Sequence, residues 1–202
     1  MKKTIISLVV FSLFLGVAQS NINSQLDAAN RLAWDGIIND NSTTPENYNL
    51  EQNVLRQEIA AVARWVADIQ KTTQCRSEFS DVSATNPNTW ACYSVEALLN
   101  ADLIAANDTF RPEDNITKAE GLGMLVKAAC GDDYAFDPSQ PGTWQEQVVA
   151  YADDKAIVEV FTDYNTPATR GWVFQVWAEA RDACSIDEEE IQRLIEEILW
   201  DI

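Results

Sequence analysis

The chain contains no histidine. That removes the usual general base, and with it the serine–histidine and cysteine–histidine routes to nucleophilic catalysis. Closely spaced cysteines are lacking too. Cys75, Cys92, Cys130 and Cys184 stand too far apart to form zinc-ligand pairs, so no metal site and no cofactor is expected. Positive charge is scarce: 14 Lys and Arg stand against 32 Asp and Glu, a formal net charge of −18. Such a surface repels nucleic-acid phosphates and excludes nucleic acid as a partner. Among so many acids no carboxylate pair stands out, so an enzyme is not expected, and carboxylate-only glycan hydrolysis is the one catalytic route left open.

Long apolar runs are also missing, apart from one at the start. Residues 1–20, MKKTIISLVVFSLFLGVAQS, carry two lysines, an apolar stretch too short for a good membrane span, and small residues before a plausible cut after Ser20. This is the pattern of a secretory signal peptide. It predicts an exported protein with no membrane insertion after cleavage.

In an exported chain the four cysteines read as disulfides. Three pairings are possible. Cys75 with Cys92 and Cys130 with Cys184 is favoured, because the first pair flanks a single loop and the second lies at the ends of two helices equivalent by repeat.

The repeat is visible in PNTW at Pro87–Trp90 and PGTW at Pro141–Trp144. Each is followed by an apolar-periodic run, a polar loop, and a helix opening on Thr117-Lys118 or Thr169-Arg170. A diverged copy fits at the front, with Asp27–Ile38 as its first helix and Val54–Ile69 as its second, which places Arg56 opposite Lys118. The expected fold is all-α: three helix-loop-helix repeats, at residues 21–74, 75–130 and 131–185, packed with pseudo-threefold symmetry through their second helices. A C-terminal amphipathic helix follows at residues 186–202, with Ile191, Leu194, Ile195, Ile198 and Leu199 on one side and acids on the other. It either docks on the bundle or supports a protein partner or self-association.

Thr117 and Glu120 have the spacing of a capping box, worth about 1 kcal/mol. Lys118 between them is less easily explained, because a cation in the first turn opposes the helix dipole at a cost of up to about 1 kcal/mol. An anion at the helix start would reverse that sign, with free amides and the side-chain cation converging on it. The alternative is an ion pair with a neighbouring acid such as Glu113 or Asp114, or a stem lying over apolar surface.

Trp90 and Trp144 begin helices, where a tryptophan serves as a packing anchor or as a platform for a sugar ring. Trp34, Trp65, Trp177 and Trp200 fall on apolar stripes and are expected in the core. Asp132, Asp133 and Asp137 match no EF-hand spacing, and turn chemistry accounts for them as well as calcium would.

The stretch Phe79–Ala129, with FSDV at Phe79–Val82, FRP at Phe110–Pro112 and ITKAE at Ile116–Glu120, resembles an S-layer homology motif. The flanking copies resemble it less: the first lacks FRP, and the third has Trp172 where the family has an acid. The resemblance implies a noncatalytic module at the cell surface or envelope that attaches noncovalently to anionic cell-wall polysaccharide. It further implies that Lys118, Arg170 and Arg56 contact the acidic sugar from grooves between motifs, with Trp90 and Trp144 as candidate sugar contacts. On this reading the middle site is the most competent, and Trp172 fills or blocks the third groove. The competing reading is a secreted structural or protein-interaction module on the same scaffold without sugar affinity.

Overall fold

The computed structural model describes residues 24–38, 48–85 and 89–184. These form six α-helices with almost no strand. Helix α1 covers residues 24–34, α2 Arg56–Val66, α3 Thr89–Asn100, α4 Lys118–Cys130, α5 Trp144–Asp154 and α6 Arg170–Cys184; a 3-10 turn, Gly131–Asp133, follows α4. The fold is all-α, as the periodicity predicts. The predicted signal peptide and the C-terminal amphipathic segment lie outside the described residues. No helix among the described residues is long and apolar enough to cross a membrane.

The pseudo-threefold arrangement rests on a closed ring of backbone hydrogen bonds. The Val54 amide donates to Ala168, the Ala168 amide to Ile116, and the Ile116 amide to Val54, at 2.9 to 3.0 Å. Each of these residues sits two positions before the second helix of its copy. All three are buried, so the ring is shielded from competing water.

The same register fixes the helix starts. The first two amides of α2, Arg56 and Gln57, donate to Asp114 and Pro112; those of α4, Lys118 and Ala119, to Thr166 and Tyr164; those of α6, Arg170 and Gly171, to Gln52 and Leu50. Each second helix is thus capped by the loop of the next copy, and the last by the first. This corrects the expectation that free amides await an anion at these helix ends: the orphan donors of the first turn are already satisfied by protein carbonyls.

Thr117 accepts from the Glu120 amide at 3.3 Å, and the Glu120 carboxylate accepts from the Thr117 amide at 3.2 Å. In α2 leucine stands at the cap, so only the Glu58 half survives, accepting from the Leu55 amide at 2.9 Å. The FSDV and FRP segments are tied by Asp81, whose carboxylate accepts from the Phe110 and Arg111 amides at 2.8 and 2.7 Å. That pairing holds Arg111 at φ 59°, a left-handed conformation with a steric cost for a non-glycine residue.

Along the axis, Ile59, Ala60 and Ala63 of α2, Leu122, Leu125 and Val126 of α4 and Val173, Val176 and Trp177 of α6 are buried together in one core. Gly171 marks the tightest crossing: a Cβ there would meet the Gln25 side chain at 2.1 Å and Leu50 Cβ at 3.1 Å. Bridges Cys75–Cys92 and Cys130–Cys184 are both formed, the second joining the ends of α4 and α6. Arg31 of α1 pairs with Asp182 of α6, and Arg181 of α6 pairs with Asp35 just beyond α1.

Two tryptophans depart from the expected core. Trp177 is buried at 1% exposure, but Trp34 is 90% exposed and Trp65 is 47% exposed. Trp34 is the last residue of α1 and lines a shallow pocket with Asn30, Arg31, Asp35 and Arg181. Trp65 stands off the face that α2 buries, which runs through Ile59, Ala60, Ala63 and Arg64, and the Arg64 guanidinium lies 5.0 Å from its indole ring. Trp200 lies outside the described residues.

Candidate functional site

Three grooves separate the copies, and each takes one helix-start cation. Arg56 lines one of about 200 Å³, Lys118 one of about 740 Å³, and Arg170 one of about 460 Å³. The opposite wall comes from the next copy in the ring, which contributes the residue two places after its own cation: Glu120 beside Arg56, Trp172 beside Lys118, Glu58 beside Arg170. A first-helix start completes the lining, with Trp144 in the Arg56 groove, Ser24 in the Lys118 groove and Trp90 in the Arg170 groove. Trp90 and Trp144 are half-exposed at 47% and 38%, so neither is the buried packing anchor that its helix-start position allows.

The three cations are not equally available. Arg56 lies over the Phe110 ring, donates through Nε to the Phe110 carbonyl at 2.8 Å, and has Nη1 2.8 Å from Glu120 Oε1. That N–H is not aligned on the oxygen, so the contact is one of charge more than of hydrogen bonding. Arg111 reaches the same carboxylate oxygen at 2.5 Å. Burial lowers the Arg56 pKa, with Arg111 adding to the effect and Glu120 opposing it. Burial also pushes the Glu120 carboxyl up, but the charge of Arg56 and hydrogen bonds from Thr117 and Arg111 outweigh it and leave the group below its ordinary value.

Lys118 donates to Asp163 Oδ2 at 2.7 Å and lies 5.6 Å from the Phe161 ring. This hydrogen bond holds the Asp163 carboxyl below its ordinary value. The partner therefore comes from the loop of the next copy, and neither Glu113 nor Asp114 plays the part considered for them. Asp153, Glu159 and Glu179 line the same groove, so its wall carries three carboxylates against one ammonium. Trp172 also stands here, with its ring edge-on to Phe161 at 6.1 Å, and does not line the Arg170 groove. The expectation that it blocks the third site is thereby corrected.

Arg170 donates through Nε to the Tyr48 carbonyl at 3.0 Å and lies over the Phe174 ring at 5.4 Å. Its groove is also lined by Arg64, Lys71, Trp65 and Glu58. Arg64 is only 4% exposed, and its Nε has no hydrogen-bond partner. Burial lowers its pKa. No carboxylate among the described residues pairs with Arg64, Lys71 or Arg170. The sequence reading missed Arg64, Lys71 and Trp65 as groove residues; their one signal was the run of a basic residue beside a tryptophan at the end of α2.

Residues 78–120 match the S-layer homology domain. The matched segment holds the Asp81 clamp, the FRP loop, Lys118 and the capping Glu120, and stops short of Arg170 and Trp172. The Middle cell wall protein of Brevibacillus brevis (strain 47 / JCM 6285 / NBRC 100599) is 25% identical over 134 residues, covering 64% of this chain and 12% of that protein. This chain therefore spans a small part of that relative's length.

Several acidic residues among those described have local partners. Cys75, Cys92 and Glu96 lie close enough to suggest a metal site, but the two sulfurs are joined in a disulfide. Buried Glu96 instead accepts from the Arg76 amide at 2.7 Å and the Glu78 amide at 3.3 Å. Asp137 accepts from the Ser139 amide and hydroxyl, which is turn chemistry. The shifted carboxyls, Glu120, Asp137, Asp163 and Asp182, all move downward, away from what a general acid needs.

Proposed function

We propose that this chain is an exported, noncatalytic module of the cell surface that attaches noncovalently to anionic cell-wall polysaccharide through the grooves between its three copies. The observation that carries the reading is the recurrence of a basic residue, Arg56, Lys118 or Arg170, at the first position of all three second helices, each facing a groove walled by the next copy. The first-turn amides need no anion, since they are capped by carbonyls of the next copy, and Arg56 and Arg170 each use Nε on a backbone carbonyl of that copy, Phe110 and Tyr48. The match to the S-layer homology domain and the name of the Brevibacillus relative support a wall partner.

In such a module an acidic sugar exchanges hydration for one or more charge-assisted hydrogen bonds, while its apolar C–H face stacks on a half-exposed indole. We assign residues 21–74, 75–130 and 131–185 to the three binding-fold copies, and residues 186–202 to docking on them or to recruiting a partner.

The test is co-sedimentation of the mature protein with purified cell-wall sacculi from its own host, before and after chemical removal of the wall polymers. Binding that disappears with the polymers is the expected result. Failure of folded protein to sediment with intact sacculi would overturn the reading in favour of a structural or protein-interaction module.

A further inference from the structure

The three grooves share one backbone plan but differ in charge. The Lys118 groove is lined by Asp153, Glu159 and Glu179, and Asp163 already holds the ammonium. An incoming anion would displace Asp163 and approach three further carboxylates. The Arg56 groove is the smallest, and its guanidinium and that of Arg111 converge on Glu120. The Arg170 groove has three cations, Arg170, Arg64 and Lys71, against Glu58, whose carboxylate is occupied by the Leu55 amide.

Arg64 gives the independent sign of a ligand. It is nine-tenths buried, lines the groove, and has an Nε without a partner, while Nη1 donates to the Ile69 carbonyl. A desolvated guanidinium without a counter-ion is costly, and an arriving anion would offset that cost. Trp65 and Trp90 border the same groove, each 47% exposed, as flat apolar surfaces suited to a pyranose ring.

We infer that the Arg170 groove is the principal site for an anionic pyranose, with Arg64 and Lys71 joining Arg170 to hold its charge and Trp65 and Trp90 to hold its ring. This rests on the wall-binding reading and assigns the work within it. Neither Arg64 nor Lys71 belongs to the ITKAE-like pattern, and both lie outside the segment that matches the family.

The experiment is sacculus co-sedimentation of the mature chain with Arg170→Ala, Lys71→Glu, Trp90→Ala and Lys118→Ala, with thermal unfolding checked for each. Lys71 and Trp90 are surface positions, so a loss there is not a folding failure. About tenfold loss for each of Arg170→Ala, Lys71→Glu and Trp90→Ala, and less than about twofold for Lys118→Ala, supports the inference. Wild-type binding that survives Lys71→Glu and Trp90→Ala but is lost in Lys118→Ala overturns it and leaves wall binding standing. No binding by folded wild type overturns both. Competition with methyl glucuronide, glucose 6-phosphate and neutral methyl glucoside separates the chemistries: release by either anion supports the inference and identifies carboxylate or phosphate, and equal release by the neutral sugar overturns it.

Discussion

The Lys118 and Arg170 grooves are built alike and furnished in opposite ways. Each begins with a cation on the first residue of a second helix whose amides are tied to the loop of the next copy. The lysine lies in the segment that matches the family, yet its ammonium is held by Asp163 and its groove is lined by three further carboxylates. The arginine lies outside that segment, beside Trp172 in a diverged copy, yet it shares its groove with two more cations and two half-exposed tryptophans. If the Arg170 groove is the principal site, as inferred above, motif quality does not measure binding competence, and the wall opposite the cation, which another copy supplies, decides it.

The largest effect should come from making the second groove like the first. Arg170→Glu places a carboxylate at the centre of the site and should weaken sacculus binding by about a hundredfold, roughly 2.7 kcal/mol. Centrifugation isotherms at low salt would measure it, and the difference should shrink as salt screens the charges.

A second contrast is in packing. The position after the cation is buried alanine in α4, Ala119, and glycine in α6, Gly171, where a Cβ would press on Gln25 and Leu50. Gly171→Ala should cost about 1 kcal/mol or more in denaturant unfolding. An unchanged midpoint would mean that the seam between the third copy and the first is looser than described.

Converting the first groove into the second is the reverse test. Neutralising Asp153, Glu159 and Glu179 to their amides, together with Asp163→Asn, should free Lys118 and strengthen binding several-fold. Calorimetry with an anionic oligosaccharide should then show a second site. If affinity and stoichiometry stay fixed, wall charge is not what separates the grooves.

The smallest effect concerns the Arg56 groove and acid. Because the Glu120 pKa in the folded chain lies below its unfolded value, its contribution to stability is fully present above about 4.3 and is lost as pH falls through the folded value. Glu120→Gln should therefore flatten the acid side of the stability–pH curve while leaving the neutral side parallel to wild type.

Much of this scaffold was legible in the chain itself. The alternation of apolar periods with PNTW and PGTW indicated the helix pairs, and Thr117 with Glu120 marked a helix start. Local spacing carries such signals because the atoms that meet are three or four residues apart. The grooves were not legible in the same way. Lys118 meets Asp163 across 45 residues, and Arg170 meets Tyr48 across 122, so the partner of each cation depends on how the ring closes. Trp172 shows the consequence: its place in the third copy suggested obstruction of Arg170, while the ring delivers it to Lys118. Trp65 shows another, since helical period alone does not reveal that Arg64 takes the inner position beneath it.

The most direct measurement is a titration of the indole N–H signals of the 15N-labelled mature protein with methyl glucuronide, with the seven tryptophans assigned by substitution. Trp65 and Trp90 should shift together along one binding curve while Trp144 and Trp172 stay in place. Movement of Trp172 or Trp144 with Trp65 and Trp90 unmoved would contradict it.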